Sequence, residues 1–251
     1  MSKLHWLEGP FALVHTPQYQ EAEPDVFETY ATGMALAHNM ILRGLNSIYK
    51  QAPWVKPKES RDFLEYCNLW LQVITIHHGG EEKSLFPYIE SAGVPNIMDI
   101  NGAQHEPFHD GVNTMQDYVN AGLSGGSFDG SRMVEIIDGF GAPLREHLAE
   151  EIDTLVDLRK YGEKLSGLQA ALDQEAKTNM GSVSISTGLV MLLLLHDKSW
   201  EDGKWANFPP RPCFRLLHPA QGVVSSPNLW RFAPCDNNAL PQAQYARPPA
   251  V

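Results

Sequence analysis

Between residues 25 and 160 the apolar positions recur at alternating steps of three and four. The first run gives Phe27, Ala31, Met34, His38, Ile41, Leu45 and Tyr49, and the second Phe63, Cys67, Trp70, Ile74, His77, Glu81, Leu85 and Tyr88. The third gives His105, His109, Val112, Gln116 and Val119, and the fourth Phe140, Leu144, His147, Glu151, Thr154 and Leu158. Such steps draw one stripe along one face of a helix. Breakers separate the runs: Pro53 and Pro57, then Gly93-Val94-Pro95, then the glycine-rich stretch from Gly122 to Gly130. Connections this short favour antiparallel neighbours. The pattern predicts an all-α fold, an antiparallel up-down four-helix bundle over residues 25–162.

Two prolines sit inside the third and fourth runs. Pro107 is tolerated if the third helix begins near residues 101–104, where the first amides are unpaired anyway. Pro143 frees a carbonyl near Gly139 and predicts a kink in the fourth helix.

Residues 163–251 have a different character and read as a C-terminal extension packed on the bundle. Lys164 to Lys177 predicts an additional, more polar helix. From Asn179 onward the chain is rich in proline, glycine and aromatics with little periodicity, which predicts an irregular arm. Its apolar run Leu189 to Leu195 is far too short to span a bilayer and reads as a segment buried against the bundle.

Composition narrows the field. The chain has 251 residues, 43% of them hydrophobic, enough for a sizeable core. A formal net charge of −11 argues against nucleic acid or an anionic membrane surface as partner. Cys67, Cys213 and Cys235 form no CxxC pair, so neither a zinc ribbon nor a disulfide framework is indicated. The N-terminal MSKLHWLEGPF lacks the apolar run of a signal peptide, which predicts a cytoplasmic, intracellular protein.

The stripes contain an anomaly. Each is interrupted by histidine or glutamate, and buried carboxylates are costly unless paired or coordinated to a metal. The core-facing polar set is His38, then His77 and Glu81, then His105 and His109, then His147 and Glu151. Residues four apart share one helix face, so each pair can aim two donor atoms at one place. Five imidazoles and two carboxylates suit iron or manganese better than tetrahedral zinc. Two six-coordinate ions offer about twelve positions. The seven residues, with both carboxylates bridging and one oxo or hydroxo bridge, leave about one position open for an exogenous ligand. Two ions, iron or manganese, are therefore expected. His5, His15, His196 and His218 read singly as ordinary core or surface histidines.

The set resembles the hemerythrin-like, or HHE cation-binding, family: H, then HxxxE, then HxxxH, then HxxxE on four antiparallel helices. HHGGEEKSLFP (77–87) is similar to the family's second-helix motif, and LREHLAEEIDTL (144–155) to its fourth. The resemblance implies His77 and Glu81 as ligands rather than His78 and Glu82, which are left behind the ligands or in solvent. It likewise implies His147 and Glu151. The arm, with LLLLHDKSWEDG and WRFAPCD, looks like the extension of fungal members. The resemblance implies a non-haem di-iron protein that binds or activates dioxygen or peroxide. An oxidoreductase acting on a small organic substrate is the favoured expectation. An oxygen-binding or sensing protein, or an iron store, is the alternative.

Gly79 and Gly80 are unexpected in a helix, where the pair costs roughly 2 kcal/mol relative to alanine. Their missing side chains would let another backbone, such as the arm, or a substrate come close to the metals.

Overall fold

The computed structural model describes residues 9–19, 21, 23–171, 173–174, 178, 188–208 and 227–249. The fold is all-α. Helix α1 spans Val26–Gln51 and α2 spans Ser60–Gly80. A π-helical turn, Glu81–Leu85, joins α2 to the short α3, Phe86–Ser91. Then come α4 (Ile97–Leu123), α5 (Gly130–Asp138) and α6 (Gly141–Asp157). Helix α1 packs on α2 and α6, and α4 packs on α2 and α6, which closes a ring of four antiparallel struts.

Local chemistry sets the ends. Asp25 caps α1: its side chain accepts from the Glu28 amide at 2.8 Å, and the Glu28 carboxylate accepts from the Asp25 amide at 2.9 Å. Asp129 caps α5 by accepting from the Ser131 amide at 2.9 Å. Helix α4 begins at Ile97, earlier than the 101–104 start expected from Pro107, so Pro107 lies inside the helix. The fourth strut is broken rather than kinked. It turns at Gly139 and Phe140, and Pro143 falls in the first turn of α6, where its missing N–H costs nothing.

Two close approaches set how the helices lie. At Gly44 of α1 an added Cβ would collide with the Trp70 indole of α2. That indole donates to the Ile41 carbonyl at 2.9 Å, tying the two helices in the core. At Gly111 of α4 an added Cβ would collide with the Phe140 side chain. Both glycines mark places where only a hydrogen fits.

Flanking segments wrap α1. Asn39 and Asn46, two turns apart, each grip the backbone of an extended strap. Asn39 accepts from Val14 N–H and donates to Val14 O, both at 2.7 Å. Asn46 does the same to Phe11 at 2.9 and 2.8 Å. The apolar run of the arm forms helix α7, Gly188–Leu195, with Met191, Leu194 and Leu195 buried against α1 and α2. Farther on, Phe232 packs edge-on to Phe63 at 5.0 Å, and its carbonyl accepts from Gln51 Nε2 at 2.8 Å. The additional helix expected over Lys164–Lys177 starts later: Lys164 and Leu165 end a 3-10 segment, Ser166 and Gly167 form a turn, and helix follows from Leu168 to Ala171 and at residues 173–174, while residues 172 and 175–177 lie outside the described residues. No described helix is long and apolar enough to cross a membrane.

Candidate metal centre

Near the middle of the bundle the core turns polar. His38 on α1, His77 on α2, Glu81 in the π turn, His105 on α4, and His147 and Glu151 on α6 are all buried. His78 joins them with its Nε2 sealed from solvent. Among the described residues, these donors form two groups in which the ligating atoms lie within 4.8 Å of one another. One is His78, Glu81, His105 and His147; the other is His38, His77, Glu81 and Glu151. Glu81 belongs to both.

The positions follow from helix geometry. His77 and His78 are about 100° apart on α2, so they straddle the line facing the bundle axis. His77 looks towards α1, where its ring meets His38 edge-on at 4.9 Å. His78 looks towards α4 and α6, with its ring 4.8 Å from His105 and 5.5 Å from His147. Glu81 follows one turn later, with an oxygen 3.0 Å from His77 Nε2. In the turn that carries it, Phe86 N–H donates to the Glu81 carbonyl five residues back. Single π turns of this kind recur at functional sites.

The structure differs from the sequence expectation at two ring positions. His109 is exposed, hydrogen-bonded to Asn113 at 3.1 Å, and outside both groups. The reason is the rotation of α4. Gly111 must face Phe140, so the inward stripe runs His105, Phe108, Met115 and Val119, and His109 falls off its edge. The inward place one turn on from His105 is taken by Phe108, whose ring lies 5.2 Å from both His78 and His147. The fifth inward histidine is His78 instead. The doublet HisHis ahead of GlyGly was the available signal, but its two rings could be told apart only by what they face.

Two of the histidines are held in the form that a metal needs. Burial, seconded by the neighbouring imidazoles, holds His78 well below the usual histidine range. Burial also pushes His147 down to about 3, against the pull of Glu151. Both rings are therefore neutral at ordinary pH, the form that ligates. Burial raises Glu151, but the adjacent His38 imidazole outweighs it and leaves the carboxyl below the usual carboxylate range. His38 donates through Nδ1 to the Leu148 carbonyl at 2.7 Å, which turns its Nε2 inward.

A cation fits this donor set. Among the described residues, His38 Nε2, His78 Nε2, His105 Nε2, both nitrogens of His147 and both oxygens of Glu151 are buried without a hydrogen bond. His38 Nε2 and Glu151 Oε2 come within 3.3 Å, but not in hydrogen-bond geometry. Each orphaned polar group costs about 1–3 kcal/mol, and more for a charge, unless a metal engages it.

Fold and cluster together define the class. The chain belongs to the hemerythrin HHE cation-binding family, whose sequence profile matches residues 31–158. Among particular proteins, it is 31% identical over 245 residues to the "Dimeric xanthone biosynthesis cluster protein R11" of Cryptosporiopsis sp. (strain 8999), covering 95% of this chain and 92% of that protein. No solved structure matches it at a significant level.

Proposed function

We propose that the chain is a non-haem di-iron oxidoreductase using dioxygen or peroxide on a small organic substrate of the aromatic, xanthone type. The observation that carries this reading is the pair of four-donor groups sharing Glu81. Three imidazoles with one carboxylate would hold one ion, and two imidazoles with two carboxylates the other. Nitrogen–oxygen sets of this kind suit iron, with manganese next. When bound, iron supplies redox equivalents and an electrophilic centre for dioxygen or peroxide.

The protein's own part is placement and exclusion. His38 is aimed by the Leu148 carbonyl, and burial keeps His78 and His147 unprotonated. Phe108 covers the three-histidine group with a buried apolar ring, which keeps water from that side. Beside His78 the backbone is open: at Gly79 a Cβ would meet only Lys83 Nζ, at 3.9 Å. No arm atom approaches there among the described residues, which favours substrate access over arm packing as the use of that glycine. The xanthone-type substrate rests on the relative's description and on the similarity running through the arm as well as the bundle.

The test is metal analysis followed by oxygen exposure of the anaerobically reduced protein, with and without a xanthone-type phenol. Two irons per chain and consumption of both oxygen and the phenol are expected. A stable, reversible oxygenated spectrum with the phenol untouched would replace this reading with oxygen carriage. One ion per chain at full loading would overturn the dinuclear centre.

A further inference from the structure

We propose that Glu82 is a positioning residue for one side of the metal centre: it holds His105 from behind and aims its Nε2 at the cluster. The proposal rests on the metal reading above. Glu82 Oε1 lies 2.8 Å from His105 Nδ1, across from the π turn to α4. The His105 ring is 7% exposed, and its other nitrogen is buried without a hydrogen bond among His78, Glu81 and His147. A carboxylate on Nδ1 makes that nitrogen the donor and leaves the Nε2 lone pair for a metal.

An ordinary surface ion pair would not have this form. Glu82 itself is half-exposed, and exposed pairs contribute little. Here the partner is a buried ring whose inner nitrogen has no hydrogen-bond partner among the described residues. Consecutive residues of one turn therefore serve the same cluster in two ways. Glu81 points into it at 0% exposure, and Glu82 reaches sideways to a histidine of the next strut.

His38 is supported by a neutral carbonyl of Leu148, inside the protein. His105 is supported by a charged group that reaches solvent. A charged partner makes an imidazole the stronger electron donor. The ion on the His105 side is then held by a more basic ligand than its neighbour, and its oxidised state is favoured. The two ions differ in affinity and potential through a residue that touches neither.

The experiment chases iron from the loaded full-length protein with a chelator and follows its stepwise reduction, comparing wild type with Glu82→Gln, Glu82→Asp and the exposed control Glu90→Gln. In Glu82→Gln one of the two ions should leave about 10- to 100-fold more readily, and one reduction step should move to higher potential while the other stays. Glu82→Asp, which keeps the charge, should recover part of both shifts, and Glu90→Gln should match wild type. If Glu82→Gln releases both ions as wild type does and leaves both steps in place, the proposal is overturned. Equal loosening of both ions with no selective shift in potential would also overturn it, in favour of a general structural role. A wild-type protein that takes up no iron would overturn the metal reading itself, which separates the two failures.

Discussion

His77 and His78 are neighbours in the chain but belong to opposite halves of the cluster, His77 beside His38 of α1 and His78 beside His105 of α4. A single turn of α2 therefore feeds both halves, and Glu81, one turn on, stands between them.

That relationship sets the histidine variants apart. His78→Ala should lose most of one metal equivalent per chain. His109→Ala should keep both and change stability by no more than about 0.5 kcal/mol, as exposed substitutions do. Metal content by elemental analysis, read beside a melting curve, decides between them; loss of metal in His109→Ala alone would reverse the assignment.

Glu81 is common to both donor groups, so its removal should be the most damaging of the carboxylate changes. Glu81→Ala should leave at most one ion per chain. Glu151→Ala removes a donor from one group only, and should spare the three-histidine side. Titration of iron into each variant under anaerobic conditions measures the difference.

The glycines give opposite expectations. Gly79→Ala meets open space and should stabilise the helix by up to about 1 kcal/mol. Gly79→Leu should leave metal content intact and slow turnover by obstructing the approach beside His78. Gly111→Ala must displace Phe140 and should cost about 1 to 3 kcal/mol. Urea unfolding of the three variants tests the set.

Asn39 offers a test of the strap that is independent of metal. Asn39→Ala leaves the Val14 N–H and C=O without their partners in a buried setting, which should cost at least about 2 kcal/mol. Unfolding midpoints, with metal content as control, report it.

His196 makes stability depend on pH. Burial, then the Arg43 guanidinium, push it down to about 4, against the Trp205 carbonyl at 3.1 Å. Its folded value lies below its unfolded one, so the unfolded chain binds the extra proton first. The contribution is full above about pH 6.5 and is lost as the pH falls towards 4, to a limit of about 3 kcal/mol. His196→Gln should flatten the unfolding free energy over that window; an unchanged slope would show that the ring is not held neutral.

The four stripes and their interrupting histidines and glutamates were legible in the sequence because burial on a helix face imposes a period, and any polar residue kept on that period stands out. By that logic His38, His77, Glu81, His105, His147 and Glu151 stand out as candidate donors from the chain alone. The fifth histidine does not. Whether His109 turns inward depends on the rotation of α4, set by Gly111 meeting Phe140, two residues brought together only by the fold, and whether His78 does depends on how α2 faces α4 and α6. The π turn at Glu81, the break before Pro143 and the link from Glu82 to His105 are likewise products of neighbouring helices. Periodicity tells which face of a helix is buried, to within a residue. A metal site is sensitive to that residue, and the packing of partner helices decides it.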